Sequence, residues 1–386
     1  MSVTAPMGFS AAGVACGIKP DALDLALLVA EQPAVAAGVF TLNQAAAAPV
    51  LQGRASLHQS HLKRGIVVNS GIANAGTGSL GMHNAEAMAA ALAAEIDCDP
   101  EDVLVCSTGT IGPQLPMDRV VPGIEAAVLR LDATAEAGAM AAAAIMTTDS
   151  VVKQAVVEGE GWVIGGMSKG AGMVRPNMAT MLAFITTDAA VGREVLQSVL
   201  AAAVDISFNS LNIDACESTN DTVIALASGA SDISPEPNEF VTAMEDLCRD
   251  LALQMAKDAE GASRVVTINV RGAGDDAEAR YLGRLVADSA LVRSSFYGGD
   301  VNWGRILGAL GTADVVIDSN ALSISYCGIE VFSSGTGAEF GEVALLESME
   351  TGDFAVRINV GAGSGRANIV TTDLTPEYVV FNGERS

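Results

Sequence analysis

Histidine is almost missing from this chain: His58, His61 and His83 are the only three in 386 residues. A Ser-His-Asp triad therefore has few sources for its base, and H-E-x-x-H does not occur, which removes support for a metalloprotease. His58 and His61 stand in LHQSHLKRG, which reads as a solvated helix end. Lysine is scarce as well, with five residues at 19, 63, 153, 169 and 257. The six cysteines (16, 98, 106, 216, 248 and 327) include no C-x-x-C pair, against both a zinc knuckle and a disulfide framework. They read as reduced, mostly buried small residues, and no metal site is expected. No apolar run is long enough to span a bilayer, and MSVTAPMGFS has no basic stretch leading into an apolar one, so the expectation is a cytoplasmic protein.

What the chain has is apolar mass and negative charge. Half the residues are hydrophobic, 17% are charged, and the formal net charge is −25. Such a chain can bury a large core, and its surface repels phosphate backbones and anionic lipid, so nucleic acid and membranes are poor partners. The length predicts two lobes or one large layered body.

Helix and strand patterns alternate along the chain, which predicts a layered α/β fold, with central sheets flanked by helices and a smaller strand-rich C-terminal lobe. GIVVNSG (65–71) and VLVCSTG (103–109) read as buried strands ending in turns, with an Ala-rich helix over 84–96 between them and another over 133–146. KQAVVEGEGWVIGGMS reads as a hairpin turning at Gly159 and Gly161, and MLAFITTD as a buried strand. A helix in GREVLQSVLAAAV, a strand in DTVIALASG, an acidic helix over 236–258 and a strand in RVVTINV follow. Short strands are expected in ADVVID, LSISYC, EVF, FAVRINV and EYVVF. GAGSGR (361–366) has the glycines of a phosphate-cradling loop without a clear strand and helix around it, a weak signal for a nucleotide.

KGAGMVRPNMATMLAF (169–184) fits neither periodicity: glycines, a proline and an asparagine lead abruptly into an apolar run. Without histidine, one base remains available, the α-amine of a threonine that becomes a chain terminus, with an ordinary pKa of roughly 7.7–8. An irregular loop ending in Ala179-Thr180 is the setting such a cut needs. From the residues alone, a loop that merely enters a strand is the favoured reading.

The stretch KGAGMVRPNMATMLAFITTDA resembles the signature K-G-x-G-M-x-x-P-x-M-A-T-M-L of the ornithine acetyltransferase (ArgJ) family, the bifunctional glutamate N-acetyltransferases of arginine biosynthesis. VLVCSTGTIG, AIMTTDS, STNDTV, KDAEGASR, GGDVNWGRILGALG and DLTPEYVVFN carry the resemblance across nearly the whole chain in the family's order. It implies self-cleavage between Ala179 and Thr180 into an α chain (1–179) and a β chain (180–386) that stay associated, in an α2β2 assembly. Thr180 would accept acetyl from N-acetylornithine, release ornithine and pass the acetyl to glutamate, giving N-acetylglutamate by a ping-pong route. The strand that Thr180 opens would lie centrally, with the new terminus at a sheet end facing a cleft.

The resemblance further implies that Thr108 and Gly109 stabilise the oxyanion, and that Thr147, Lys169, Thr180, Glu260, Asn382 and Ser386 line the substrate site, with Glu260 serving the amino group or proton transfer. No cofactor is implied, and acetyl-CoA is left open as a second donor. Two departures stand out. NSGIANAGTG carries Ile72 and Gly76 where the family commonly has a polar residue and a cysteine, and NGERS ends one residue short, which makes Ser386 the weakest assignment. Two other readings remain: a self-processing amidase or aminopeptidase with water as acceptor, and an uncut, non-catalytic binding protein.

Overall fold

The structure, a computed structural model, describes residues 2–175, 181–350 and 352–384. They form two compact units, one from residues 2–173, 181–208 and 217–255, the other from 174–175, 209–216, 256–350 and 352–384. The division does not follow the 179/180 boundary, since residues on both sides of it build the first unit.

In chain order the first unit contains β1 (Phe9–Val14), β2 (Leu25–Phe40), α1 (Ala48–Gln59), β3 (Leu62–Ile72), α2 (Gly78–Glu95), β4 (Val103–Thr110), α3 (Met117–Val128), α4 (Ala135–Ala144), β5 (Lys153–Glu158), β6 (Val163–Lys169), β7 (Leu182–Thr187) and α5 (Arg193–Ile206). After β8 (Leu211–Asn212), which belongs to the other unit, come β9 (Thr222–Ala227) and α6 (Pro237–Lys257). The sheet order is β4-β3-β2-β9-β7-β6-β5, with β1 also paired to β2.

Side-chain alternation builds two layers on this sheet. Leu25, Leu27, Val67, Val103 and Val105 face α2 and α3, while Ala26, Leu28, Ile66, Val68, Leu104 and Cys106 face Ala141, Ala142 and Ile145 at α4 and just beyond it. On β6, Gly166 leaves room for Leu247 and Leu251 of α6; a Cβ there would stand 3.0 Å from each. β2 pairs with β3 through residues 25–29 and 34–35, with the register broken between Val29 and Ala34, while its other edge passes from β1 (residues 25–30) to β9 (residues 35–40). The interior position expected for the strand after residue 180 is found: β7 lies between β9 and β6, fully buried.

The second unit contains β10 (Val265–Ala273), α7 (Asp276–Asp288), α8 (Ala290–Tyr297), α9 (Trp303–Leu310), β11 (Ser323–Tyr326), β12 (Ile329–Ser333), β13 (Thr336–Gly337), α10 (Glu342–Glu350), β14 (Phe354–Asn359), β15 (Gly365–Thr372) and α11 (Pro376–Gly383). Its sheet runs β13-β12-β11-β14-β10-β15-β8. Val266, Ile268, Val356 and Ile358 pack with Leu282, Val286, Phe296 and Ile306 to form its core.

Three expectations are corrected, on EYVVF, ADVVID and the cysteines, and GAGSGR stands outside a strand-to-helix turn. EYVVF is part of helix α11, because Thr375 accepts the Tyr378 N–H and Pro376 opens the first turn, a start signal that outweighs β-propensity. ADVVID forms no strand; Val316 is 99% exposed, with no face to bury. GAGSGR carries the chain from β14 to β15, and its glycines serve backbone contact: a Cβ on Gly363 would stand 1.9 Å from the Ala273 carbonyl oxygen. Only Cys106 and Cys248 are buried, with Cys216 exposed and the other three between. Among the described residues no helix is long and apolar enough to cross a membrane.

Because Phe184 is fully buried in the interior strand β7, Phe184→Ala should cost about 3–5 kcal/mol, read as a lower denaturant midpoint at unchanged slope.

Candidate active site

β3 and β4 run parallel and finish together, with Ser70 opposite Thr108 and Gly71 opposite Gly109, and the register slips at Ile72. Thr108 is 2% exposed. Gly109 has φ +129°, and a Cβ there would lie 2.2 Å from the Gly71 carbonyl carbon, so no other residue fits. Gly76, one of the two departures in this region, has φ +67°, where glycine is also the natural choice.

Lys169, the last residue of β6, pairs with Leu182 at the start of β7. The sheet thus holds Lys169 opposite a residue two positions beyond Thr180. The Lys169 Nζ donates to the Thr108 hydroxyl oxygen at 3.3 Å and lies 4.0 Å from Asp149 Oδ2. Because that hydroxyl accepts from lysine, its own proton stays available for donation elsewhere.

Asp149 organises the surroundings. It is fully buried at its side chain, takes Lys153 Nζ at 2.7 Å and the Gly170 N–H at 2.6 Å on Oδ1, and the Thr147 N–H at 3.0 Å on Oδ2. Burial alone would raise its pKa, but Lys169 and Lys153, with the Gly170 N–H, more than reverse this and hold it down to about 2. One carboxylate therefore positions Thr147, Lys169 and the first residue of the irregular loop.

On the other side, Asn220 Nδ2 donates to the carbonyls of Ala73 (2.6 Å) and Ser107 (2.8 Å), fastening the approach to β9 onto the ends of β3 and β4. Next to it, Asp221 Oδ1 accepts the Met181 N–H at 2.9 Å. Asp221 is fully buried. Burial pushes its pKa well above the usual carboxylate value, with the Met181 N–H and the Ser218 hydroxyl opposing. A cavity of about 50 Å³ lies here, lined by Ala73, Thr108, Gly109, Ile111, Met173, Ser218, Thr219 and Asn220. Every one of these is uncharged.

In the second unit, Asn382 Nδ2 donates to Glu260 Oε2 at 3.0 Å, joining two residues expected at the substrate site. Asn382 also reaches the Tyr378 carbonyl, and the Tyr378 hydroxyl donates to Asp214 at 3.4 Å. Ala179, Thr180 and Ser386 lie outside the described residues. The spacing G-x-S-x-G does occur at Gly166–Gly170, but Ser168 sits inside β6, paired with Lys153 and Ala183 and 1% exposed, and not on a strand-to-helix turn. It is no nucleophile elbow.

The ArgJ family model matches residues 10–386. The chain is 42% identical over 388 residues to the arginine biosynthesis bifunctional protein ArgJ of Thermobifida fusca, covering all of both. It is 44% identical over 393 residues to that of Mycobacterium tuberculosis, covering all of this chain and 96% of the relative. The chain belongs to the ArgJ family. It is accordingly an acetyltransferase of arginine biosynthesis, as the resemblance implied. Among solved structures, the ornithine acetyltransferase of Mycobacterium tuberculosis complexed with ornithine is 46% identical, over 45% of this chain and 94% of that one, with a TM-score of 0.44.

Sequence reasoning singled out Thr108, Gly109, Thr147 and Lys169 in this ArgJ chain, and the first unit brings them together. It did not find Asp149, Lys153, Asn220 or Asp221, although AIMTTDS and STNDTV contain three of them.

Two predictions follow from the two carboxyls. A folded pKa of about 2 for Asp149 means that its stabilisation is complete above the unfolded carboxyl pKa, near 3.9, and is lost as pH falls toward about 2. Urea midpoints measured from pH 5 to pH 2 should therefore fall more steeply for the native protein than for Asp149→Asn. For Asp221, Asn keeps an acceptor for the Met181 N–H and should leave thermal stability nearly unchanged, whereas Asp221→Ala orphans that N–H and should cost about 1–3 kcal/mol.

Proposed function

We propose that the chain cuts itself between Ala179 and Thr180 and then carries acetyl from N2-acetylornithine to glutamate on the Thr180 hydroxyl. The observation that carries this reading is the uncharged cavity bounded by Thr108 and Gly109, beside a lysine that the β6–β7 register holds opposite Leu182. An acetyl group is small and neutral, and an uncharged wall suits it.

In the first half-reaction the α-amine of Thr180 takes the hydroxyl proton as the oxygen attacks the acetyl carbonyl. The oxyanion that forms accepts from the Gly109 N–H and from the Thr108 hydroxyl, whose oxygen is already engaged by Lys169. Collapse breaks the C–N bond, and the departing amine of ornithine recovers the proton. In the second, the amine of glutamate attacks the acetyl ester, loses its proton to the same α-amine, and the Thr180 oxygen leaves with that proton. By the family resemblance, Thr147 and Lys169 are assigned to the substrate's carboxylate and Glu260, Asn382 and Ser386 to the ornithine ammonium; Glu260 and Asn382 are hydrogen-bonded to each other.

β7 is flanked by β6 on one side and β9 on the other, so a cut before it leaves the two chains sharing one sheet. They remain associated without a covalent link, in an α2β2 assembly located in the cytoplasm. No metal or cofactor takes part in this scheme, and acetyl-CoA stays open as a second acetyl donor.

The test is the denatured mass of the protein beside Thr180→Ala, each before and after incubation with N-acetylornithine alone. Two fragments divided before Thr180, the second gaining one acetyl group, and an intact, unacetylated variant are expected. An acetyl group on Thr180→Ala would place the nucleophile elsewhere, and steady hydrolysis of N-acetylornithine without glutamate would make the enzyme an amidase.

A further inference from the structure

An enzyme that exchanges ornithine for glutamate on one nucleophile must tell a cation from an anion at the same side-chain position. The chain as a whole works against glutamate, since a net charge of −25 attracts ornithine and repels a net anion. Preference for the acidic acceptor has to come from a local group.

Lys19 is placed for that role. Three of the chain's five lysines, at 19, 153 and 169, gather around Asp149. Lys153 is spent on Asp149, and Lys169 on Asp149 and Thr108. Lys19 is half-buried, and its Nζ makes one hydrogen bond among the described residues, to the Met146 carbonyl at 2.8 Å, directly before Thr147. An ammonium has three protons to donate.

Its position is built rather than incidental. The buried Asp24 carboxylate accepts the backbone N–H groups of Cys16, Gly17, Ile18 and Lys19 at 2.6–3.0 Å, folding the loop around itself. Arg119 braces the loop at the Gly17 carbonyl, 2.8 Å away. The Lys19 stem crosses Gly71, where a Cβ would stand 2.9 Å from its Cγ, and Gly71 in turn backs Gly109. Its pKa is lowered chiefly by burial, with the Asp24 carboxylate opposing, Lys169 lowering it further and Asp149 opposing.

We propose that Lys19 is the specificity residue for the acidic acyl acceptor, its ammonium binding the side-chain carboxylate of glutamate. The α-carboxylate is common to ornithine and glutamate and cannot discriminate between them; the side-chain carboxylate can. The inference rests on the proposed two-step transfer, and the two half-reactions separate the two claims.

The experiment loads the enzyme with acetyl from N-acetylornithine, removes free substrate, and follows discharge by glutamate or by ornithine, for the native protein, Lys19→Met and Lys19→Arg. Loading that fails in the native protein would overturn the transfer scheme itself and leave Lys19 without an acceptor to select. With loading intact, Lys19→Met should raise the glutamate concentration needed for half-maximal discharge by about tenfold or more, the worth of one charge-assisted hydrogen bond. Loading and discharge by ornithine should stay within about twofold, and Lys19→Arg should recover most of the loss. An unchanged glutamate requirement, or equal losses for glutamate and ornithine, would overturn the assignment.

Discussion

A buried carboxylate sets the terms for this site. Asp149 holds Lys153 and Lys169 in the interior of a chain with more than twice as many acidic as basic residues. Burying ammonium groups is costly unless they are paired, and removing one partner of such a pair typically costs about 3–5 kcal/mol. The cost is tolerable because Asp149 also accepts two backbone N–H groups, from Thr147 and Gly170. The same four contacts give the site its shape. Lys169 reaches Thr108, Thr147 is drawn in beside it, and the irregular loop starts from a fixed point at Gly170.

The opposite wall is held differently. Asn220 satisfies two carbonyls at the ends of β3 and β4, and the buried Asp221 accepts the Met181 N–H. The cavity lining is uncharged, and the Asp149 cluster reaches it only through the Lys169–Thr108 hydrogen bond. This suits a reaction in which an acetyl group stays put while charged amino acids exchange around it. Lys19 stands beside the Asp149 cluster on a loop wrapped around a second buried carboxylate, Asp24.

Much of the layered fold was legible because β-branched runs such as GIVVNSG and DTVIALASG are buried on both faces, and the Ala-rich helices are too small-sided to belong anywhere but against a sheet. EYVVF misled because local propensity there is β, while Thr375 and Pro376, three and two residues upstream of Tyr378, decide for helix. The 16 residues of β2 escaped notice because a proline at 33 and the acidic Glu31 interrupt the apolar pattern where the strand passes from one partner to another. The site was partly legible through a family signature, which marks the residues that the resemblance assigns to the substrate. It does not mark those that hold them: an aspartate two residues after Thr147, or an Asn-Asp pair leading into β9, looks like ordinary turn chemistry until the fold brings it against a lysine or an orphan N–H.

The central claim is that Thr108, engaged by Lys169, and Gly109 together receive the oxyanion of an acetyl group carried on Thr180. The most direct measurement is a crystal structure of the enzyme loaded with acetyl from N-acetylornithine in the absence of glutamate. The account predicts an ester on Thr180 whose carbonyl oxygen lies within hydrogen-bond distance of the Thr108 hydroxyl and the Gly109 N–H, with the Lys169–Thr108 contact kept. An acetyl group on another residue, or an ester whose oxygen points away from that pair, would contradict it.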